Sequence, residues 1–319
     1  MLDMSDIKLF QYKSNSASEL AGKSASIERT LQRLIESQME TFLGVRFLAT
    51  EYSTGNKHRG RIDSLGLDEN GCPVIVEYKR HSNENVINQG LFYLDWLLDH
   101  KADFRLFVMD TLGPEEGGKI EWSGTRLLCI AADFTRYDEH AVAQINRNIE
   151  LIRYKLFGED LLLLELVNGA SAASTQSTTG AEIDPVYEKP AKVLVTPSQT
   201  IRTHADQLAA ASPELLALFD QTRSFILTQG DDIIEKPVKH YVAFRRLKNF
   251  VCMSLTLKID PHVCLILKLD PATVVLEEGF SRDVSRIGHW GTGDLELTLR
   301  SSGDFERARS LIERAYTEN

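Results

Sequence analysis

Asp63, Glu77 and Lys79 are the residues of this chain whose types and spacing could do chemistry together. They lie in the stretch GRIDSLGLDENGCPVIVEYKR, residues 60–80. Residues 62–67 and 73–79 read as strands, the second rich in β-branched side chains. Asp68-Glu69-Asn70-Gly71 between them suits a type I turn closed by a left-handed glycine and a bulge. If the loop is Glu69-Asn70-Gly71, Asp68 pairs with Cys72 and Asp63 falls opposite Glu77. Alternation then puts Glu77 and Lys79 on one face with Asp63, and turns Val74, Val76 and Tyr78 toward a core. Two facing carboxylates suit a hard divalent cation, Mg²⁺ or Mn²⁺. A lysine beside it would orient or deprotonate an attacking water, or steady charge on a phosphate. Burying the trio without a ligand would be costly. On a surface hairpin the same trio is an ordinary ion-pair cluster, and spacing alone does not separate the two readings.

The elements that must position the trio follow in chain order. A strand is expected over 7–12 and a loop over 13–23. A helix capped by Ser24 or Ser26 then runs to Leu43, with Ile27, Leu31, Leu34, Ile35 and Phe42 as its buried stripe. Glu28 in its first turn complements the helix dipole. A strand over 45–52 leads to a polar loop, 54–61, carrying Lys57, His58, Arg59 and Arg61. That loop could hold a phosphate backbone or simply be solvated. After Arg80, a helix opened by Ser82 or Asn83 runs to His100, with Gln89 and Tyr93 on one face and Leu91, Leu94, Leu97 and Leu98 packing. Strands at 104–109 and 126–133, a helix over 139–156 and a strand over 161–167 complete a first domain, residues 1–167. Alternating strands and helices make it an α/β sandwich, a mixed sheet flanked by helices.

Small polar and proline-spaced residues mark 168–200 as a flexible linker. The remainder, 201–319, reads as a smaller α+β domain. Its elements are a helix over 213–229, strands at 241–247, 250–257, 263–269, 274–276 and 295–299 in an antiparallel sheet, and a closing helix over 304–315. Lys236, Lys239, His240, Arg245, Arg246 and Lys248 cluster near its first hairpin, as a DNA-backbone surface or as a solvated sheet face. Trp290, among glycines, could stack on a base or cap the core.

With 319 residues the chain can build two cores, and a net charge of −10 excludes a general polyanion-coating protein. Nucleic-acid contact would need a local basic patch. Four scattered cysteines without metal spacing read as buried thiols of a cytoplasmic protein. The sequence has no apolar run of membrane-spanning length, and MLDMSDIKLF lacks the pattern of a secretory signal, so no membrane partner is expected.

Asp63, a turn, then Glu77-Tyr78-Lys79 at the end of an apolar strand resembles the core of the PD-(D/E)XK nucleases. The surrounding GRID…DENG…VIVEYK is similar to the branch with mismatch-type endonucleases and Holliday-junction resolvases. Ile62 replaces the proline that usually precedes the first aspartate. The resemblance implies a restriction-endonuclease-like fold and divalent-metal-dependent hydrolysis of DNA phosphodiester bonds, in restriction, phage defence or DNA repair. It implies Asp63 and Glu77 as metal ligands, and Lys79 as the residue that positions or activates water. IERTL resembles the pattern in which an early helical glutamate joins the metal site, implying Glu28, with Glu36 in reserve. Gln89 and Tyr93 match the Q-x-x-x-Y element that supports such sites or contacts DNA. DNA contacts are then expected at Lys57, Arg59, Arg61, Arg80, Lys239, Arg245, Arg246 and Lys248. Cutting both strands needs two sites, which implies a homodimer, and a further defence or repair protein is an open partner. HYVAFRRLKNF, LKLDP and GHWGTGDLE resemble a C-terminal domain of undefined function that also ends GmrSD-like restriction proteins. The alternative is a catalytically silent nucleic-acid-binding or regulatory protein on the same fold.

Overall fold

The stretch PVIVEYK is buried along nearly its whole length, so both of its alternating faces must be covered by other layers. The computed structural model describes residues 7–25, 28–55, 59–79, 86–170 and 203–319, and supplies those layers. The elements of the N-terminal part are β1 (Leu9–Lys13), β2 (Ser16–Leu20), β3 (Gly22–Lys23), α1 (Glu28–Ser37), α2 (Met39–Leu43), β4 (Val45–Ser53), β5 (Arg61–Asp68), β6 (Pro73–Lys79), α3 (Val86–Asp99), α4 (Lys101–Leu112), β7 (Arg126–Ala131), α5 (Arg136–Gln144), β8 (Asn148–Phe157) and β9 (Leu161–Ala170). The C-terminal part comprises α6 (His204–Ala210), α7 (Pro213–Leu227), β10 (Ile234–Pro237), β11 (Val242–Arg245), β12 (Asn249–Thr256), β13 (His262–Leu267), β14 (Ser281–Asp283), β15 (Leu295–Leu299) and α8 (Ser302–Glu318).

The first large sheet is mixed. β4, β5 and β6 are antiparallel neighbours, β6, β7 and β8 run parallel, and β9 returns antiparallel along β8. One face packs Leu65, Ile75, Leu127 and Leu151 against Leu94 and Leu97 of α3 and Phe104 and Val108 of α4. The other packs Val74, Val76, Tyr78 and Ile130 against Leu31 and Ile35 of α1 and Met39 and Leu43 of α2. This helix–sheet–helix arrangement agrees with the expected mixed sheet flanked by helices. The C-terminal part is α+β, as expected: an antiparallel sheet in the order β10-β11-β12-β13-β15-β14, with α7 and α8 covering one face.

Several expected elements differ. Residues 104–109 are helical, because Phe104 and Val108 are buried four apart while Leu106 between them is 59% exposed. The helix expected over 139–156 ends at Gln144. Ile149 and Leu151 face one core while Ile152 and Tyr154 face the other. A strand buried on both faces is a continuous apolar run and imitates helical spacing. The helix expected to reach Leu43 breaks at Gln38 into α1 and α2. The expected loop at 13–23 contains β2, which closes a hairpin with β1. β9 continues to Ala170, past the expected domain edge, and the rest of the expected linker lies outside the described residues, as do Ser26, Ser82 and Asn83. No strand forms at 274–276, where Val275 is 87% exposed; β14 takes the sheet edge instead. α6 and β10 were not expected from the sequence.

The two sheets meet at the β5–β6 turn and at the N-terminal ends of β7 and β8. Glu150 of β8 receives Arg126 of β7 and Arg245 of β11. Glu69 pairs with Lys268, and Asn249 Nδ2 donates to Asn70 Oδ1 at 2.8 Å. Among the described residues no helix is long and apolar enough to cross a membrane, and all four cysteines are free.

Candidate active site at the end of the β5–β6 hairpin

The turn is built as its residues dictate. Gly71 N–H donates to Asp68 O, and Asp68 N–H donates to Cys72 O, both at 2.9 Å. Gly71 has φ +75°, and a Cβ there would lie 2.9 Å from the Lys119 carbonyl oxygen, so glycine is required. The register runs on to Ser64 opposite Val76, which carries Asp63 to its place opposite Glu77.

There the carboxylates take over from the ladder. Asp63 N–H donates to Glu77 Oε1 at 3.2 Å, and Tyr78 N–H donates to Asp63 Oδ2 at 3.0 Å. Glu77 is fully buried, and its Oε2 has no hydrogen-bond partner. Burial first, then the nearby Asp63 charge, push Glu77 up to about 9. Burial also raises Asp63, opposed by the Tyr78 N–H and Lys79 and reinforced by Glu28 and Glu51. An orphaned, buried carboxylate oxygen beside a second acid fits a hard cation held by one or two carboxylates, with water and phosphate as its other ligands.

Lys79 Nζ lies 3.2 Å from Glu28 Oε1. Burial pulls the Lys79 pKa down, but Glu28, Asp63 and Glu77 outweigh it and hold the ammonium above its usual value. Glu28 therefore reaches the cluster as the partner of Lys79. The expected set of three carboxylates does not assemble: among the described residues no three His, Cys, Asp or Glu side chains are grouped to hold a metal. Glu36 lies behind the strands, where Ser64 Oγ bridges its Oε1 at 2.6 Å and the Tyr78 hydroxyl at 3.1 Å.

Asp63 opens onto a polar cavity of about 530 Å³ with Ser53, Gly55, Arg59, Gly60, Arg61, Gln89 and Tyr93 in its walls. Tyr93 anchors the loop before β5, since its hydroxyl accepts from Arg61 N–H at 3.2 Å. A Cβ on Gly60 would sit 2.5 Å from the Tyr93 ring, so the loop can approach only through a glycine. Gln89 Nε2 lies 3.5 Å from the Tyr93 hydroxyl. Arg59 is exposed beside the cavity with φ +50°, and Arg61 pairs with Glu51. Lys57, His58 and Arg80 lie outside the described residues.

The basic residues of the C-terminal part are placed differently from expectation. Arg245 is buried on Glu150 and offers no surface to DNA. Arg246 is bound to Asp232 at 2.5 Å, and Lys248 Nζ donates to the Thr41 carbonyl at 3.2 Å across the junction. Lys239 remains exposed. Trp290, 63% exposed, stacks on His240 with ring centroids 3.9 Å apart rather than capping the core.

Sequence reasoning passed over Gln32 and Glu51. Gln32, 5% exposed, donates through Nε2 to Asp63 O at 2.7 Å, with Thr50 Oγ1 and Glu36 Oε1 each 3.1 Å away. Its spacing from Glu28, one helical turn, was the available signal.

A family model described as a domain of unknown function (DUF5655) matches residues 204–319. An uncharacterized protein of Haemophilus influenzae is 27% identical over 314 residues, spanning 98% of this chain and 100% of its own length. Among solved structures, a chain from an EndoMS–double-stranded DNA complex is similar at 18% identity with a TM-score of 0.25. That likeness covers 41% of this chain and 47% of the other.

Proposed function

We propose that the N-terminal sheet carries a divalent-cation-dependent phosphodiesterase centre that cuts DNA. The observation that carries this reading is Glu77, fully buried beside Asp63 with one carboxylate oxygen unpartnered. A fold devoted to stability would give such a group an arginine or a donor. Asp63 and Glu77 would hold Mg²⁺ or Mn²⁺, which when bound supplies a more acidic water and offsets charge on the phosphate. Lys79, fixed by Glu28, would orient the attacking water or the phosphate oxygen. Arg59, at the cavity rim, would hold the phosphate backbone, with Gln89 and Tyr93 fixing the loop that presents it. The choice of DNA rests on the resemblance of Asp63…Glu77-Tyr78-Lys79 to the PD-(D/E)XK motif. On this reading the chain acts in restriction or repair, and a homodimer would supply a centre for each strand.

The test is cleavage of plasmid and modified phage DNA with Mg²⁺ or Mn²⁺, wild type beside Lys79→Ala and Asp63→Asn. The expected result is cation-dependent nicking that falls by about 10²–10⁴-fold in either variant. Cleavage that persists in both variants would place the chemistry elsewhere. A second reading, a silent nucleic-acid-binding protein, draws on the Lys79–Glu28 pair, which leaves two acids rather than three, Asp63 and Glu77, at the hairpin end. It predicts cation-independent DNA binding with no cleavage by wild type on any substrate.

A further inference from the structure

The β5–β6 pairing ends at Ser64↔Val76, and the β4–β5 pairing skips Asp63 before it resumes at Tyr52↔Ile62. Asp68 N–H donates to Cys72 O, just before β6, so even-numbered residues of β5 aim their backbone groups at β6 and odd-numbered ones, Asp63 among them, aim theirs at β4. The β4 register places Glu51 opposite Asp63. The pairs, however, step from Thr50↔Ser64 to Tyr52↔Ile62 and skip it. Glu51 has φ +51°, a left-handed conformation that takes its backbone out of the ladder. Both backbone groups of Asp63 are thereby released, and side chains recover them. Its N–H goes to Glu77 Oε1, and its carbonyl accepts from Gln32 Nε2 at 2.7 Å.

We propose that Gln32 is a positioning residue: its buried carboxamide replaces the ladder bond lost opposite Glu51 and so holds the Asp63 carboxylate in place beside Glu77. The amide orientation is forced. The Asp63 carbonyl oxygen can only accept a hydrogen bond, so the amino group must face it. Neither a carboxylate nor an apolar side chain at 32 reproduces this. The arrangement ties α1, β4 and β5 together where the strand pairing skips Asp63, on the sheet face that α1 covers. Regular pairing at 51 and 63 would commit the Asp63 N–H to β4 and take it from Glu77. The interrupted ladder therefore lets the two acids approach, and Gln32 keeps the interruption from loosening them.

The inference rests on the reading of Asp63 and Glu77 as cation ligands, and its test keeps the two apart. Mn²⁺ binding to the full chain, freed of divalent cations, is measured by calorimetry for wild type, Asp63→Asn, Gln32→Leu and Leu31→Ala. Wild type that binds no Mn²⁺, or Asp63→Asn that binds it equally well, overturns the ligand reading and this inference with it. With binding lost in Asp63→Asn, Gln32→Leu should bind about 10–100-fold more weakly, the usual effect of removing a group that orients a ligand. Leu31→Ala thins the packing of the same helix without touching Asp63, and should bind as wild type does. Wild-type affinity in Gln32→Leu, or an equal loss in Leu31→Ala, overturns the positioning role and leaves the ligand reading standing. Should Gln32→Leu not fold, Gln32→Asn keeps the amide but is one methylene too short to reach, and carries the same expectation.

Discussion

β5 carries an aspartate at each end, and the surroundings of the two are opposite. At Asp68 the buried acids are matched by cations. Arg126 Nε lies 3.2 Å from Asp68, and Glu150 takes Arg126 Nη1 at 3.0 Å together with Arg245. Burial alone would raise the Glu150 pKa, but Arg245 and Arg126 outweigh it and the net shift is downward. At Asp63 the buried acid opposite, Glu77, has no guanidinium, and burial wins. Both ends are desolvated, so desolvation is not what separates them. Compensation is: one end joins two sheets through paired charges, and the other leaves Glu77 Oε2 buried without a hydrogen-bond partner.

The largest expected effect breaks the compensated end. Glu150→Ala leaves Arg245 buried without a counter-charge and Arg126 with Asp68 alone, and should cost about 3–5 kcal/mol in urea unfolding. A loss under 1 kcal/mol would mean that the junction is wet or open in solution. The same kind of change at the other end should have the opposite sign. Glu77→Gln removes an uncompensated acid and should stabilise the cation-free protein by about 1–3 kcal/mol while abolishing Mn²⁺ binding. If thermal melting shows Glu77→Gln to be strongly destabilising, an unseen partner already satisfies Glu77.

Acid should separate the two ends more gently. Because the folded pKa of Glu150 is depressed, its stabilisation is complete above the ordinary value of 4.5 and fades as pH falls through the lower folded value. Unfolding of wild type and Glu150→Gln between pH 3 and pH 6 should therefore converge toward acid, and parallel curves would deny the shift. The smallest effect is at Glu51, whose left-handed backbone favours glycine. Glu51→Gly should change stability by about 1 kcal/mol or less, strain relief being offset by loss of the Arg61 pair. A loss of several kcal/mol would show that the Glu51 side chain, rather than its backbone, holds this edge of the cavity.

Local chemistry made the hairpin legible. The turn Asp68–Gly71 sets the register, which the pairing carries to Ser64↔Val76, and period-two alternation then sets Asp63 opposite Glu77. Where a segment's environment is two-sided, the pattern misleads. Residues 148–157 are apolar toward two cores and imitate a helix, and 104–109 hide a helix within a short apolar run. The partners of charged residues were equally hidden. A basic run such as HYVAFRRLK reads as a surface for phosphate until a glutamate 95 positions away in the chain, Glu150, takes Arg245 into the interior.

From sequence alone came the layered mixed sheet, the antiparallel C-terminal sheet, and a lysine and two acids gathered at one hairpin end. These follow from turn geometry and side-chain alternation, which act over a few residues. Tertiary structure alone decided that Glu28 belongs to Lys79, that Gln32 holds the Asp63 backbone, and that Arg245 serves the junction. Each of these depends on which distant groups share a desolvated volume, and burial strengthens a charge contact only once packing has brought its partners together.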